Sequence, residues 1–178
     1  MRVLVCHPGT QHAGKLAALL RHAGMLSEFV TGFRLRQGSR LARALKLSGQ
    51  RALDPVLDEC TRQIRLPELL AKAAQCVGWG GERLMRLRNA WFQRLIPERA
   101  LAAADVIVGF DTSSWILARR ARRLGRRFIL ERTAVCRGVR VAIDAKFGIG
   151  TTAVAGTRRD VQGEIEDEEI EQIGRAHV

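Results

Sequence analysis

V-L-V-C-H-P-G-T-Q-H-A-G-K-L, residues 3–16, is the stretch on which the choice of fold turns. Its left half belongs to a short apolar, partly β-branched run (2–6, R-V-L-V-C) that reads as a buried strand. Its right half is one residue short of G-x-x-x-x-G-K-[ST], the phosphate-binding P-loop. Gly9, Gly14 and Lys15 fit, but Leu16 stands where a Ser or Thr would hold Mg²⁺. Leu16 also falls on one helical face with Ala13, Ala17, Leu19, Leu20 and Ala23, and Gly24 is a natural stop for a helix over 11–23. The stretch therefore reads as strand, loop and amphipathic helix, with H-P-G-T-Q-H as the loop. Gly9 permits close backbone approach there, and the helix N-terminus favours an anion or a hydroxyl. Thr10, Gln11 and His12 can hydrogen-bond polyols, although a plain turn with a helix cap accounts for the same residues. One feature keeps the P-loop reading open: V-I-V-G-F-D (106–111) is an apolar strand ending in Asp, as a Walker B segment requires.

Outward from this unit the pattern repeats. Short apolar runs at 28–31 (E-F-V-T), 61–65, 106–110 (V-I-V-G-F) and 128–131 (F-I-L-E) read as strands. Helical patterns lie between them: a basic one over 35–47, one opened by Pro67, one over 82–95 and one over 114–124 that Gly125 stops. In the helix over 82–95, Leu84, Leu87, Trp91 and Leu95 are expected to face inward, with Arg83, Arg86, Arg88 and Arg94 outward. Strands alternating with helices predict an α/β fold, a Rossmann-like parallel sheet covered by helices on both faces. Loops after the strands of such a sheet gather on one edge, where ligands bind. Asp111, Thr112 and Ser113 follow the clearest strand at that edge, and Arg132 and Thr133 follow the last one. Helix N-capping is an equally simple role for 111–113.

Composition narrows the function classes. A chain of 178 residues with 47% hydrophobic content suits one folded domain rather than a disordered segment. No apolar run approaches the length of about 18 residues needed to span a bilayer, and no signal-peptide pattern opens the chain, so a cytoplasmic location is expected. The net charge is +12, with only four Lys among the 30 basic residues, although six of the 18 acids crowd into E-I-E-D-E-E-I-E at 164–171. Such a surface attracts polyanions. The basic helices at 35–47 and 82–95 fit peripheral contact with an anionic membrane, or simply a solvated face. Nucleic acid is not an expected partner, because the three Trp are not interleaved with Arg on a strand face. Cys6, Cys60, Cys76 and Cys136 form no C-x-x-C pair and read as buried, reduced thiols. His7 and His12 have no third ligand in sight, so no metal site is expected.

V-L-V-C-H-P-G-T-Q-H, I-R-L-P-E-L-L (64–70), R-N-A-W-F-Q-R (88–94), A-D-V-I-V-G-F-D-T-S-S (104–114) and R-L-G-R-R-F-I-L-E-R (123–132) together, in this order and spacing, resemble the N-terminal domain of bacterial glycosyltransferases related to family 4. The resemblance covers about residues 1–135 and the rest more loosely. It implies the GT-B architecture, two Rossmann-like domains facing across a cleft, of which this chain would be the acceptor-side half. A nucleotide-sugar donor and a glycan or lipid-linked acceptor are then the implied partners, with no cofactor and no obligatory metal. Gly9, Thr10, Gln11 and His12 would line the cleft floor, with Asp111, Thr112, Ser113, Arg132 and Thr133 on the acceptor side. The chain departs from the pattern after the last strand. Similar sequences often carry a His there, as in E-R-G-S-S-H, whereas E-R-T-A-V-C (131–136) places Cys136 at that position. Residues 173–178 (I-G-R-A-H-V) match read-through into a sequencing adapter, so the domain is expected to span 1–172 and the fragment alone to be inactive. Two other classes remain open: a P-loop-like nucleotide-binding protein, and a basic module for membranes or nucleic acid.

Overall fold

A computed structural model describes residues 1–9, 12–36 and 52–132. In chain order the elements are β1 (Val3–His7), α1 (Ala13–His22), β2 (Leu26–Thr31), the two-residue strands β3 (Leu35–Arg36) and β4 (Ala52–Leu53), a 3-10 turn at Pro55–Leu57, and β5 (Thr61–Gln63). Then come α2 (Leu66–Cys76), α3 (Glu82–Leu95), α4 (Glu98–Ala103), β6 (Val106–Phe110), α5 (Trp115–Arg123) and β7 (Arg127–Glu131). Five strands form one all-parallel sheet in the order β5-β2-β1-β6-β7, while β3 and β4 pair separately.

The apolar run of β1 is explained by its central place: every residue of it is buried. Val3 and Val5 point to one face and pack with Ala13 and Ala17 of α1, Phe29 and Leu57. Leu4 and Cys6 point to the other and pack with Phe92, Ile96, Leu101 and Leu117. Helices thus cover both faces, and the α/β class is the one the sequence predicts. Leu16 packs against the first cluster, so the position that lacks a P-loop hydroxyl is part of the core. Gly109 in β6 is required by a close approach. A Cβ there would lie 2.3 Å from Ser114 Oγ and 2.7 Å from Phe128 Cζ.

Three expectations need correction. Residues 35–36 form a strand paired with 52–53, not the first turn of a basic helix, and the remainder of 35–47 lies outside the described residues. The short helix α4 follows Pro97, and its six residues hold too little helical periodicity to be seen in advance. The helix over 82–95 is found with its predicted bounds but rotated. Its buried residues are Asn89, Ala90, Phe92 and Gln93, while Leu87 is 62% exposed and Leu95 44%. Phe92 and Ile96, four apart, dock on the sheet, and full burial of each contributes roughly 1.5–3 kcal/mol. Asn89 and Gln93 share that side, and hydrogen bonds to both amides offset their burial. The expectation of buried thiols is corrected in part: Cys6 is buried, which pushes its thiol pKa well up, but Cys60 is half-buried and Cys76 is exposed; all three are free thiols. Cys136 lies outside the described residues.

Candidate functional site

From β1 the chain steps outward to β2 and β5, then returns to the other side of β1 for β6 and β7. Loops leaving β1 and β6 therefore part in opposite directions. Such a reversal marks the crevice position of open parallel sheets, beyond the strands' carboxyl ends, where they hold ligands. The bases of these two loops touch: the rings of His7 and Phe110 meet edge to face with centroids 5.0 Å apart.

His7 is buried and its Nδ1 accepts the Gly9 N–H at 3.0 Å, which places the ring proton on Nε2. Burial lowers its pKa from 6.5 to about 4, and the Arg34 and Arg88 guanidinium groups add to this. At neutral pH it is an uncharged hydrogen-bonding ring. This contact bears on the P-loop reading at one residue. A phosphate cradle turns its backbone N–H groups toward the ligand, whereas the Gly9 N–H turns inward to His7.

The edge is held by a polar scaffold that ties four loops together. Arg34 is buried; its Nη2 donates to the Gly9 carbonyl at 2.5 Å, its Nε to Thr31 Oγ1 at 3.4 Å, and its backbone N–H to Gln63 Oε1 at 3.2 Å. Loops after β1, β2 and β5 are joined in this way. Gly32 is jammed against the first loop, since a Cβ there would lie 2.2 Å from the Pro8 carbonyl oxygen. Further along, Arg88 Nη1 donates to Glu68 Oε2 at 3.1 Å, and Arg88 also donates to Asn89 Oδ1. Burial pulls the Arg88 pKa down and Glu68 opposes that. Asn89 Nδ2 then donates to the Thr112 carbonyl at 2.8 Å. That bond fixes a strained residue: Thr112 has φ +63°, a left-handed conformation that costs a side chain about 1–2 kcal/mol. Strain of this kind concentrates at ligand-binding loops.

Four hydrogen bonds knit α3 to α5. Gln93 Oε1 accepts the N–H groups of Ile116 and Leu117 at 2.8 and 3.0 Å, capping the start of α5 from another helix. In return Arg120 donates to the carbonyls of Gln93 and Ile96, closing the end of α3. The capping role offered above for 111–113 is therefore corrected. The hydroxyl of Ser113 donates to the Phe110 carbonyl, and Ser114, at the N-cap position, also bonds back to Phe110. The start of α5 is satisfied internally, so α1 is the helix whose positive end faces the crevice; His12 at its N-cap makes no side-chain cap.

The predicted site residues divide accordingly. Gly9 and the exposed His12 lie on the first loop, Thr112 on the second, and Arg132 just beyond β7 on the same edge. Asp111 and Ser113 are at the crevice base but buried, and Ser113 is turned toward the strand. Thr10, Gln11 and Thr133 lie outside the described residues. Sequence reasoning passed over Thr31, Arg34, Glu68, Arg88 and Asn89; the one advance signal was T-G-F-R directly after a strand. Among the described residues, no group of three or more His, Cys, Asp and Glu is arranged to hold a metal, and no helix is long and apolar enough to cross a membrane. No protein-family model, curated protein or solved structure matches the chain.

Proposed function

We propose that the chain is the acceptor-side half of a GT-B glycosyltransferase. In the complete enzyme a glycosyl group would pass from a nucleotide-sugar donor to a hydroxyl of a glycan or lipid-linked acceptor, in the cytoplasm or at the inner face of the cytoplasmic membrane. The observation that carries this reading is the strand-order reversal between β1 and β6, with the loops after these two strands held by Arg34 and Asn89. A rigid, polar edge with its cations set behind it suits a neutral polyol that must be oriented rather than a triphosphate that must be wrapped. Gly9, His12, Thr112 and Arg132 are the residues placed to meet the acceptor, and Thr10, Gln11 and Thr133 belong to the same loops. The His7 ring would hold the first loop in shape without carrying charge. Donor binding falls to a second Rossmann-like domain.

The test joins binding to reconstitution. Backbone amide resonances of Gly9, His12 and Thr112 should shift on titration with oligosaccharide acceptors, and Mg²⁺-ATP should leave them in place. Residues 1–178 alone should transfer no sugar. Joined to the domain encoded downstream, they should transfer it. Turnover by the chain alone, or a downstream sequence encoding no second nucleotide-sugar domain, would sink the reading.

A further inference from the structure

Positive charge gathers toward the carboxyl end of α5. Arg94 of α3 and Arg119, Arg120, Arg122 and Arg123 of α5 line an open groove of about 600 Å³, with Ile116 in its wall. Arg120 is committed to the fold, since it donates to the Gln93 and Ile96 carbonyls. Burial lowers its pKa; Glu98 of α4 opposes this, and the like charge of Arg123 adds to it. None of the ion pairs Arg21–Glu59, Arg62–Glu28 and Arg88–Glu68 reaches Arg94, Arg122 or Arg123, all three of which are exposed.

The chain holds the opposite charge in one place. Six of its 18 acids lie at 164–171, E-I-E-D-E-E-I-E. Glu164, Glu168 and Glu171 recur at helical spacing and Glu164, Glu166 and Glu168 at strand spacing, so either conformation offers three carboxylates to one side. Reach is no obstacle. α5 ends at Arg123 and β7 starts at Arg127, so the end of the groove lies one strand length, about 17 Å, from Arg132, the last described residue. The 31 residues 133–163 would span about 45 Å even at the short rise of a helix. A segment tethered in this way is present at about millimolar local concentration, which a free polyanion would have to exceed.

We propose that the acidic segment 164–171 of this chain occupies the arginine groove between α3 and α5, its carboxylates pairing with Arg94, Arg122 and Arg123. The segment thereby closes the groove to outside polyanions. This holds whether or not the chain serves sugar transfer.

The full chain is tested by hydrogen exchange, read by mass spectrometry over residues 164–171. At low salt Arg122→Glu/Arg123→Glu should speed exchange there about tenfold, and Glu168→Arg/Glu169→Arg should speed it as much. Combining the two pairs should restore slow exchange, because opposite charges face each other again. Combining Glu168→Arg/Glu169→Arg with Lys15→Glu/Arg83→Glu gives the same net charge through exposed sites outside the groove, and should restore nothing. Arg94→Gln/Arg122→Gln, which sets no carboxylate at the end of α5, should speed exchange about threefold. Circular dichroism should show that variant folded, since both side chains are exposed. About 0.5 M NaCl should weaken the protection of the unaltered chain. Exchange indifferent to the groove substitutions overturns the proposal, and so does equal rescue by Lys15→Glu/Arg83→Glu. Protection that grows with protein concentration also overturns it, by assigning the segment to the groove of a second copy.

Discussion

Acid sensitivity offers a sharp test of the crevice base. Burial lowers the His7 pKa from 6.5 to about 4. The unfolded chain therefore takes up a proton as pH falls through 6.5, while the folded protein refuses it until near 4. Stability is fully present above 6.5 and drains away as pH drops, with a slope approaching 1.4 kcal/mol per unit. Between pH 7.5 and pH 5 the linkage amounts to about 2 kcal/mol from this one ring. His7→Asn keeps an acceptor for the Gly9 N–H but cannot take up the proton. It also loses the edge-to-face contact with Phe110, so the variant should be about 1–3 kcal/mol less stable at pH 7.5. Urea unfolding of both proteins at pH 7.5, 6 and 5 supplies the measurement. The remaining titrating groups are common to the two, so the difference between their slopes isolates the imidazole. Equal losses of stability on acidification would refute the account of a buried, neutral His7.

Further substitutions probe the scaffold. Gln93→Leu leaves the Ile116 and Leu117 N–H groups without their acceptor and should cost about 2–4 kcal/mol in chemical denaturation; Gln93→Glu, which retains an acceptor facing a helix N-terminus and Arg120, should cost less. Gly32→Ala forces a methyl group against the Pro8 carbonyl oxygen and should destabilise by about 1–3 kcal/mol, read as a lowered melting temperature. Leu16→Thr rebuilds the P-loop consensus while removing a side chain that packs on the core. It should lose about 1–2 kcal/mol of stability and gain no Mg²⁺-dependent ATP binding by calorimetry; tight nucleotide binding would reopen the P-loop reading.

Much of the fold is written in local pattern. The run at Val106–Phe110 and the helix at Glu82–Leu95 could be read with their observed bounds, because burial on two faces and a 3.6-residue period each leave marks within one element. Which side of α3 faces in was not legible. Leu84, Leu87, Trp91 and Leu95 form the more apolar stripe, yet Asn89 and Gln93 go inward because their amide partners lie 23 and 24 residues away. The candidate site divides in the same way. Gly9 and Thr112 could be placed at the sheet edge from strand endings alone. Arg34 bonds a carbonyl 25 residues earlier, a relation that no periodicity encodes. Ser113 was misread because a hydroxyl after a strand looks the same on paper whether it caps the next helix or turns back to the last carbonyl.

The strand reversal that opens the crevice also sets a delay in synthesis. β1 pairs with β2 early, but its other edge pairs with β6, where Arg2 is bound through its own backbone to Asp105 and Val106. A ribosome adding 5–20 residues per second takes about 5–20 s to travel from Arg2 to Asp105. During that interval the fully buried central strand of the sheet exists with one edge open, and open strand edges are templates for wrong pairing. Any change that slows translation between β2 and β6 lengthens the exposure without touching a residue of the folded protein. Yield of folded chain should therefore depend on codon speed across that interval more than anywhere after it.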